Sequence, residues 1–136
     1  MHAKTGKIKR LRGFTLIEMI IVIAIIGILV ATAIPVYRMH LLHAHEAVLK
    51  EDLYTMRNAI DQYTQDKSKA PQDLSDLVSA GYLRAIPKDP FTNNNTSWQV
   101  VQEDVLQSID QTAPGITDVH SGSNLTSSEG TAYSSW

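Results

Sequence analysis

Residues 19–31 are all apolar or glycine, and no other feature of this 136-residue chain limits its fold so strongly. With residues 14–18 and 32–36 added, the run reaches roughly two dozen residues. At about 1.5 Å per residue, a helix of that length spans about 30 Å of hydrocarbon. β-Branched residues are abundant in it, but a continuous run this long favours a membrane helix over a strand. Pro35 lies inside the run and cannot donate the helical bond to the Ala31 carbonyl, so a kink or local melting is expected there. Charge is arranged around the run. Lys4, Lys7, Lys9, Arg10 and Arg12 precede it without a single acid, while the other seven basic residues accompany all 14 acidic ones. A basic arm ahead of an apolar segment reads as a targeting element whose basic end stays in the cytoplasm. Nucleic-acid binding by the arm is the rival reading. The arm is short, has no aromatic residue and abuts a membrane-type segment, so no direct nucleic-acid contact is expected.

A second helical pattern follows without a turn signal. Leu42, Leu49, Leu53, Met56, Ile60 and Tyr63 recur at threes, fours and one seven, which makes a one-sided apolar stripe. Glu46, Lys50, Asp52, Arg57 and Asp61 lie between them. One long helix from residue 14 to about residue 65 accounts for both patterns. D-K-S-K-A-P then breaks the periodicity. Q-D-L-S-D-L-V-S-A-G-Y-L predicts a short helix ended by Gly81, and I-P-K-D-P-F-T-N-N-N a loop. W-Q-V-V-Q and V-L-Q-S-I predict two antiparallel strands with Glu103 and Asp104 at their turn. From Thr112 onward the composition is that of a loop-rich tail. The expected fold class is α+β. A basic leader (1–13) precedes a transmembrane and assembly helix (14–36) and its amphipathic continuation (37–65). The globular part (66–136) carries the short helix and small sheet.

The composition removes several chemistries. There is no cysteine, so disulfides, thiolate metal sites and cysteine nucleophiles are excluded. No phosphate-cradling glycine loop and no nucleophile–base–acid arrangement occurs, and no enzyme activity is expected. His40, His43, His45 and Glu46 cluster just beyond the apolar run. His40 and His43 share a helical face, but H-E-A-V-L has Leu49 where a zinc-protease motif needs histidine. A solvated or subunit-facing polar stretch accounts for the cluster. Three N-x-S/T triplets, at Asn94, Asn95 and Asn124, are explained as loop chemistry.

The N-terminus admits two processing schemes. Ala31-Thr32-Ala33 fits an A-x-A signal-peptidase site, which would release a soluble module beginning at Ile34. The other scheme cuts between Gly13 and Phe14 and leaves the whole apolar run on the mature chain. K-R-L-R-G-F-T-L-I-E resembles the prepilin motif of type IV pilins and type II secretion pseudopilins. In that family a prepilin peptidase cuts after the glycine and methylates the new N-terminal amine. Gly13, Phe14 and Glu18, the fifth residue after the cut, stand where the motif needs them. Pro35 matches the proline of the family's N-terminal helix.

The resemblance gives Glu18 a task. A lone carboxylate in mid-membrane costs on the order of 2.5–3.5 kcal/mol on insertion scales, and an ammonium partner recovers part of that. The Phe14 amine of the same helix lies one turn away. The family implies the amine of a neighbouring subunit, so that the charge sets register during filament growth, as one polar group does in a coiled coil. The alternative is that Glu18 snorkels to the headgroups and stabilises the helix N-terminus.

The remaining blocks resemble the major pseudopilin of type II secretion, the G-type subunit. They are A-P-Q-D-L-S-D-L-V-S-A-G-Y-L, I-P-K-D-P-F-T, W-Q-V, G-I-T-D-V-H-S-G-S and the final G-T-A-Y-S-S-W. The lack of cysteine agrees. That family usually holds calcium in its C-terminal loop with aspartates and backbone carbonyls. Here Asn124 falls where an aspartate is expected, and Asp118 and Glu129 are the only carboxylates nearby. Ser121 and Asn124 are the tentative calcium residues. A loop held by its own hydrogen bonds and by Trp136 is the competing reading.

The resemblance implies a single-pass inner-membrane subunit with its C-terminal part in the periplasm. It implies self-assembly into a helical pseudopilus that drives protein export. Its implied partners are the prepilin peptidase, minor pseudopilins, an inner-membrane assembly platform and a cytoplasmic ATPase. A type IV or competence pilin, for adhesion, motility or DNA uptake, is the alternative.

Overall fold

A computed structural model of the chain describes residues 1, 2, 6, 12–103, 109 and 114–136. The order of elements is α1 (Leu16–Lys67), α2 (Leu74–Ser79), β1 (Gln99–Glu103), β2 (Gly115–His120) and a final 3-10 turn, Tyr133–Ser135. The fold is α+β, as expected. The chain divides into two compact units, Met1–Met39 and His40–Trp136.

In the first unit α1 begins just after Thr15. The Thr15 hydroxyl accepts the Glu18 N–H at 3.2 Å, and the Thr15 carbonyl accepts the Met19 N–H at 3.2 Å. Thr15 thereby caps the otherwise unsatisfied first turn. Of the kink or local melting expected at Pro35, the melting does not occur, because the helix runs unbroken through it. Every residue from 12 to 39 is exposed.

The second unit has one core. Leu49, Leu53, Met56 and Ile60 are buried as the apolar stripe requires, and Ala59 joins them. Leu74 and Leu77 of α2, Leu83, Trp98, Ile116, Val119 and Tyr133 complete the cluster. Asp73 caps α2 by accepting the Ser75 N–H, and Asp76 returns the favour to the Asp73 N–H at 3.1 Å. Gly81, at φ +84°, closes the turn after α2 where a side chain is disfavoured.

The sheet differs from the sequence expectation. β1 pairs antiparallel with β2, from Gln99 opposite His120 to Glu103 opposite Gly115, with a bulge between Val101 and Gln102. Glu103 is therefore a paired strand residue and not part of a tight turn. The expected partner strand, 105–109, lies outside the described residues except for Ile109, which is fully exposed. Ile116 and Val119 decide the pairing, because they bring buried apolar side chains to the core. The segment read as a tail from Thr112 thus contains the second strand.

Candidate functional site

The residues expected to serve processing and assembly all lie in the exposed N-terminal unit. Gly13 precedes α1, and a Cβ built on it meets nothing within 4 Å among the described residues. Phe14 is 79% exposed. Glu18 occupies the first turn of α1, one turn beyond Phe14, and Pro35 lies inside the helix. The spacing Thr15-Leu16-Ile17-Glu18 is also that of a capping box. It gives Glu18 a local place at the helix N-terminus alongside any intersubunit one.

The second unit holds a polar constellation around Glu46, and this corrects the reading of Glu46, with His40, His43 and His45, as part of a solvated or subunit-facing stretch. Glu46 is only 5% exposed. It fills the seven-residue gap in the apolar stripe, midway between Leu42 and Leu49, so α1 turns its carboxylate into the domain. Its Oε1 accepts the Ser128 N–H at 2.7 Å and the Tyr133 hydroxyl at 2.8 Å, and its Oε2 accepts the Ser128 hydroxyl at 2.7 Å. Burial pushes the Glu46 carboxyl up. The two Ser128 donors, the Tyr133 hydroxyl and the charge of His43 outweigh it and hold the group below its ordinary range. Burial, donation to Glu46 and the carboxylate's charge push the Tyr133 phenol up to about 12.

Asp89, from the I-P-K-D-P-F loop, is completely buried. Its Oδ2 accepts the Ser121 hydroxyl at 2.5 Å and the Gly122 N–H at 3.2 Å, while Oδ1 accepts the Phe91 N–H at 2.9 Å. The Phe91 ring then stacks on Tyr133 at 3.8 Å. Arg57 of α1 makes a third tie. Its Nε donates to Asp118 Oδ1 at 2.7 Å, and its Nη2 to the Val119 and Trp136 carbonyls at 2.9 and 2.8 Å. Burial raises the Asp118 carboxyl, but the Val119 N–H and Arg57 bring it below the usual range. His120 Nδ1 also reaches the Trp136 carbonyl. The Trp136 indole N–H donates to the Thr131 hydroxyl at 2.8 Å, its ring meets Tyr133 edge-on, and Lys50 sits 4.7 Å over it.

These contacts bear on calcium, which prefers six to eight oxygens with carboxylates among them. Ser121 is buried with its hydroxyl committed to Asp89, and it also accepts the Ser123 N–H at 3.2 Å. Asn124 is exposed and brings no charge. Asp118 Oδ1 is taken by Arg57 and the Val119 N–H, its Oδ2 faces His120 Nε2 at 3.5 Å, and exposed Glu129 faces Lys50 at 3.6 Å. The donor set does not fit the ion. Among the described residues no three His, Cys, Asp or Glu side chains come together as a metal-holding group, and His40, His43 and His45 are exposed.

Residues 8–34 match the model of the prokaryotic N-terminal methylation motif. The type II secretion system core protein G of Klebsiella pneumoniae is 34% identical over 99 residues, covering 61% of this chain and 71% of that protein. The core protein G of Klebsiella michiganensis is 30% identical over 129 residues, covering 79% of this chain and 89% of that protein. The type IV major fimbrial protein FimA of Dichelobacter nodosus is 35% identical over 86 residues, covering 63% of this chain and 54% of that protein. No solved structure gives a significant match. None of the three relatives bears the name of an enzyme. The likeness to core protein G extends far beyond the methylation motif and takes in most of each relative's length, so this chain belongs to the core protein G family and is a type IV pilin-like major pseudopilin.

Proposed function

We propose that the chain is the structural subunit of a type II secretion pseudopilus. A prepilin peptidase removes residues 1–13 by cutting between Gly13 and Phe14, and the freed Phe14 amine is methylated. Residues 14–36 hold the subunit in the inner membrane, and residues 37–65 and 66–136 lie in the periplasm. Subunits then polymerise through the same helix into a filament that drives protein export. Minor pseudopilins, the assembly platform and its ATPase are the partners.

The observation that carries this reading is the exposed first unit. From residue 12 to 39 nothing is buried, although the helix is long and apolar enough to cross a membrane. Apolar surface on that scale demands a cover, either lipid or the helices of other subunits. One helix can serve as lipid anchor before assembly and as filament core afterwards. The apolar N-terminal helix and the core protein G relatives fit an inner-membrane-anchored subunit.

Intact mass of the protein taken from its native membrane tests the processing. The expected start is Phe14 with one added methyl group, and a start at Ile34 would overturn the reading. Gly13→Val should accumulate with its leader attached. A Cβ at Gly13 meets nothing within 4 Å among the described residues, so a block on cleavage is expected to arise in the peptidase's grip. The type IV pilin reading draws on the fimbrial relative, and long pili in the fraction sheared from cells would favour it.

A further inference from the structure

We propose that Glu46 and Asp89 order the C-terminal segment, residues 121–136, and so do the work that the family resemblance assigns to calcium. The inference concerns the folded subunit and stands apart from the filament reading. Two carboxylates, one from α1 and one from the loop before β1, lie beneath this segment. Six donors converge on their four oxygens: the Ser121, Ser128 and Tyr133 hydroxyls and the Gly122, Ser128 and Phe91 N–H groups. These donors fill six of the roughly eight lone-pair sites on the two carboxylates and leave one on Glu46 Oε2 and one on Asp89 Oδ1, so neither carboxylate can grip a cation with both oxygens while its hydrogen bonds stand.

The arrangement is also self-consistent. Among the described residues, no buried side-chain nitrogen or oxygen lacks a partner. Charge-assisted bonds of this kind are about twice as strong as neutral ones and can hold a buried carboxylate. The two carboxylate sites are coupled, because Phe91, whose N–H is held by Asp89, stacks on Tyr133, whose hydroxyl is held by Glu46. Glu46 stands in the apolar stripe of α1, so the helix presents its carboxylate whether or not the segment is ordered.

Thermal melting and amide hydrogen exchange of the full chain in detergent micelles test the proposal. The wild-type melting temperature should agree within about 1 °C in excess calcium chloride and in excess EGTA. Glu46→Ala should lower it by about 10 °C, and Ser128→Ala and Tyr133→Phe by about 5 °C each. The last two should add little in the Glu46→Ala background, since both act through that carboxylate. Amides of residues 121–136 should exchange faster in each variant. If Glu46→Ala does not fold, the Ser128 and Tyr133 variants decide the matter. A melting temperature raised many degrees by calcium and lowered again by EGTA would overturn the proposal. So would Ser128→Ala and Tyr133→Phe proteins that match wild type in both melting and exchange.

Discussion

The Tyr133 hydroxyl donates to Glu46 Oε1 across 2.8 Å, although 87 positions separate the two residues. The bond joins the middle of the long helix to the last turn of the chain. It also moves both groups away from their ordinary titration. The carboxylate is stabilised in its charged form, and the phenol in its neutral form.

Stability should therefore fall at both ends of the pH range. The Glu46 carboxyl is held below its ordinary value of 4.5, so its contribution is present above that value and is lost as pH falls through the lower folded-state value. The Tyr133 phenol is raised from 10.0 to about 12, so its contribution is complete below pH 10 and disappears between there and about 12. The charged and titratable neighbours include His43 on the same helix, Tyr133 opposite, and Lys50 one turn on, which is itself engaged by Glu129 and Trp136. Melting curves across pH check both limbs. Tyr133→Phe should lose less stability than wild type between pH 10 and 12. Glu46→Gln should soften the acid limb and leave the share of Asp118, which is also held low. Wild-type pH profiles in both variants would show that the pair does not couple to folding.

Gly122 should tolerate no side chain. A Cβ built there would stand 2.1 Å from the Ser97 carbonyl oxygen and 2.9 Å from its carbon. The obstacle is backbone, which cannot swing aside, and moving the segment instead would draw the Gly122 N–H away from Asp89. Gly122→Ala is expected to lower stability by about 2 kcal/mol, in the range of other overpacked sites. Adding Ser97→Gly should not rescue it, because only the side chain of Ser97 is removed. Denaturant unfolding of the single and double variants gives the comparison, and full rescue would place the conflict at the side chain.

What could be read from sequence depended on how local the signal was. The apolar run and the 42–63 stripe are periodic within a single helix, and Leu49, Leu53, Met56 and Ile60 are buried accordingly. Asp73 and Gly81 bracket α2 by short-range chemistry that spacing alone reveals. β2 was hidden because Thr117, Asp118 and His120 interrupt its apolar residues and a bulge breaks the two-residue period of its pairing. Glu46 did leave a trace, the single seven-residue step in a pattern of threes and fours. A charged residue in that gap suggested surface, and only its Ser128 and Tyr133 partners, more than 80 positions away, account for its burial. Asp89 left no trace at all, since the Ser121 and Gly122 donors on its Oδ2 lie 32 and 33 positions on. The serines of the C-terminal segment read as loop composition, yet Ser121, Ser123 and Ser127 are buried and hydrogen-bonded.

Glu18 gives the last prediction. In the uncut chain its N–H is already capped by Thr15, so a purely local role at the helix N-terminus is physically available. The intersubunit role makes a different demand, that the carboxylate meet the Phe14 amine of a neighbour in an apolar filament core. On that reading Glu18→Ala should insert and be cleaved as wild type, because the apolar run is untouched and even better suited to lipid. Filaments and secretion should fall by about tenfold or more, since an unpaired ammonium is left buried and the register mark is gone. Glu18→Asp, one methylene short, should be intermediate. Mixed with wild type, the alanine variant should enter filaments poorly and leave the membrane pool undisturbed. If Glu18 serves only its own helix end, both variants should build near-normal filaments. Immunoblots of sheared filament and membrane fractions separate the two: normal assembly of Glu18→Ala at equal membrane abundance would rule out the intersubunit pair.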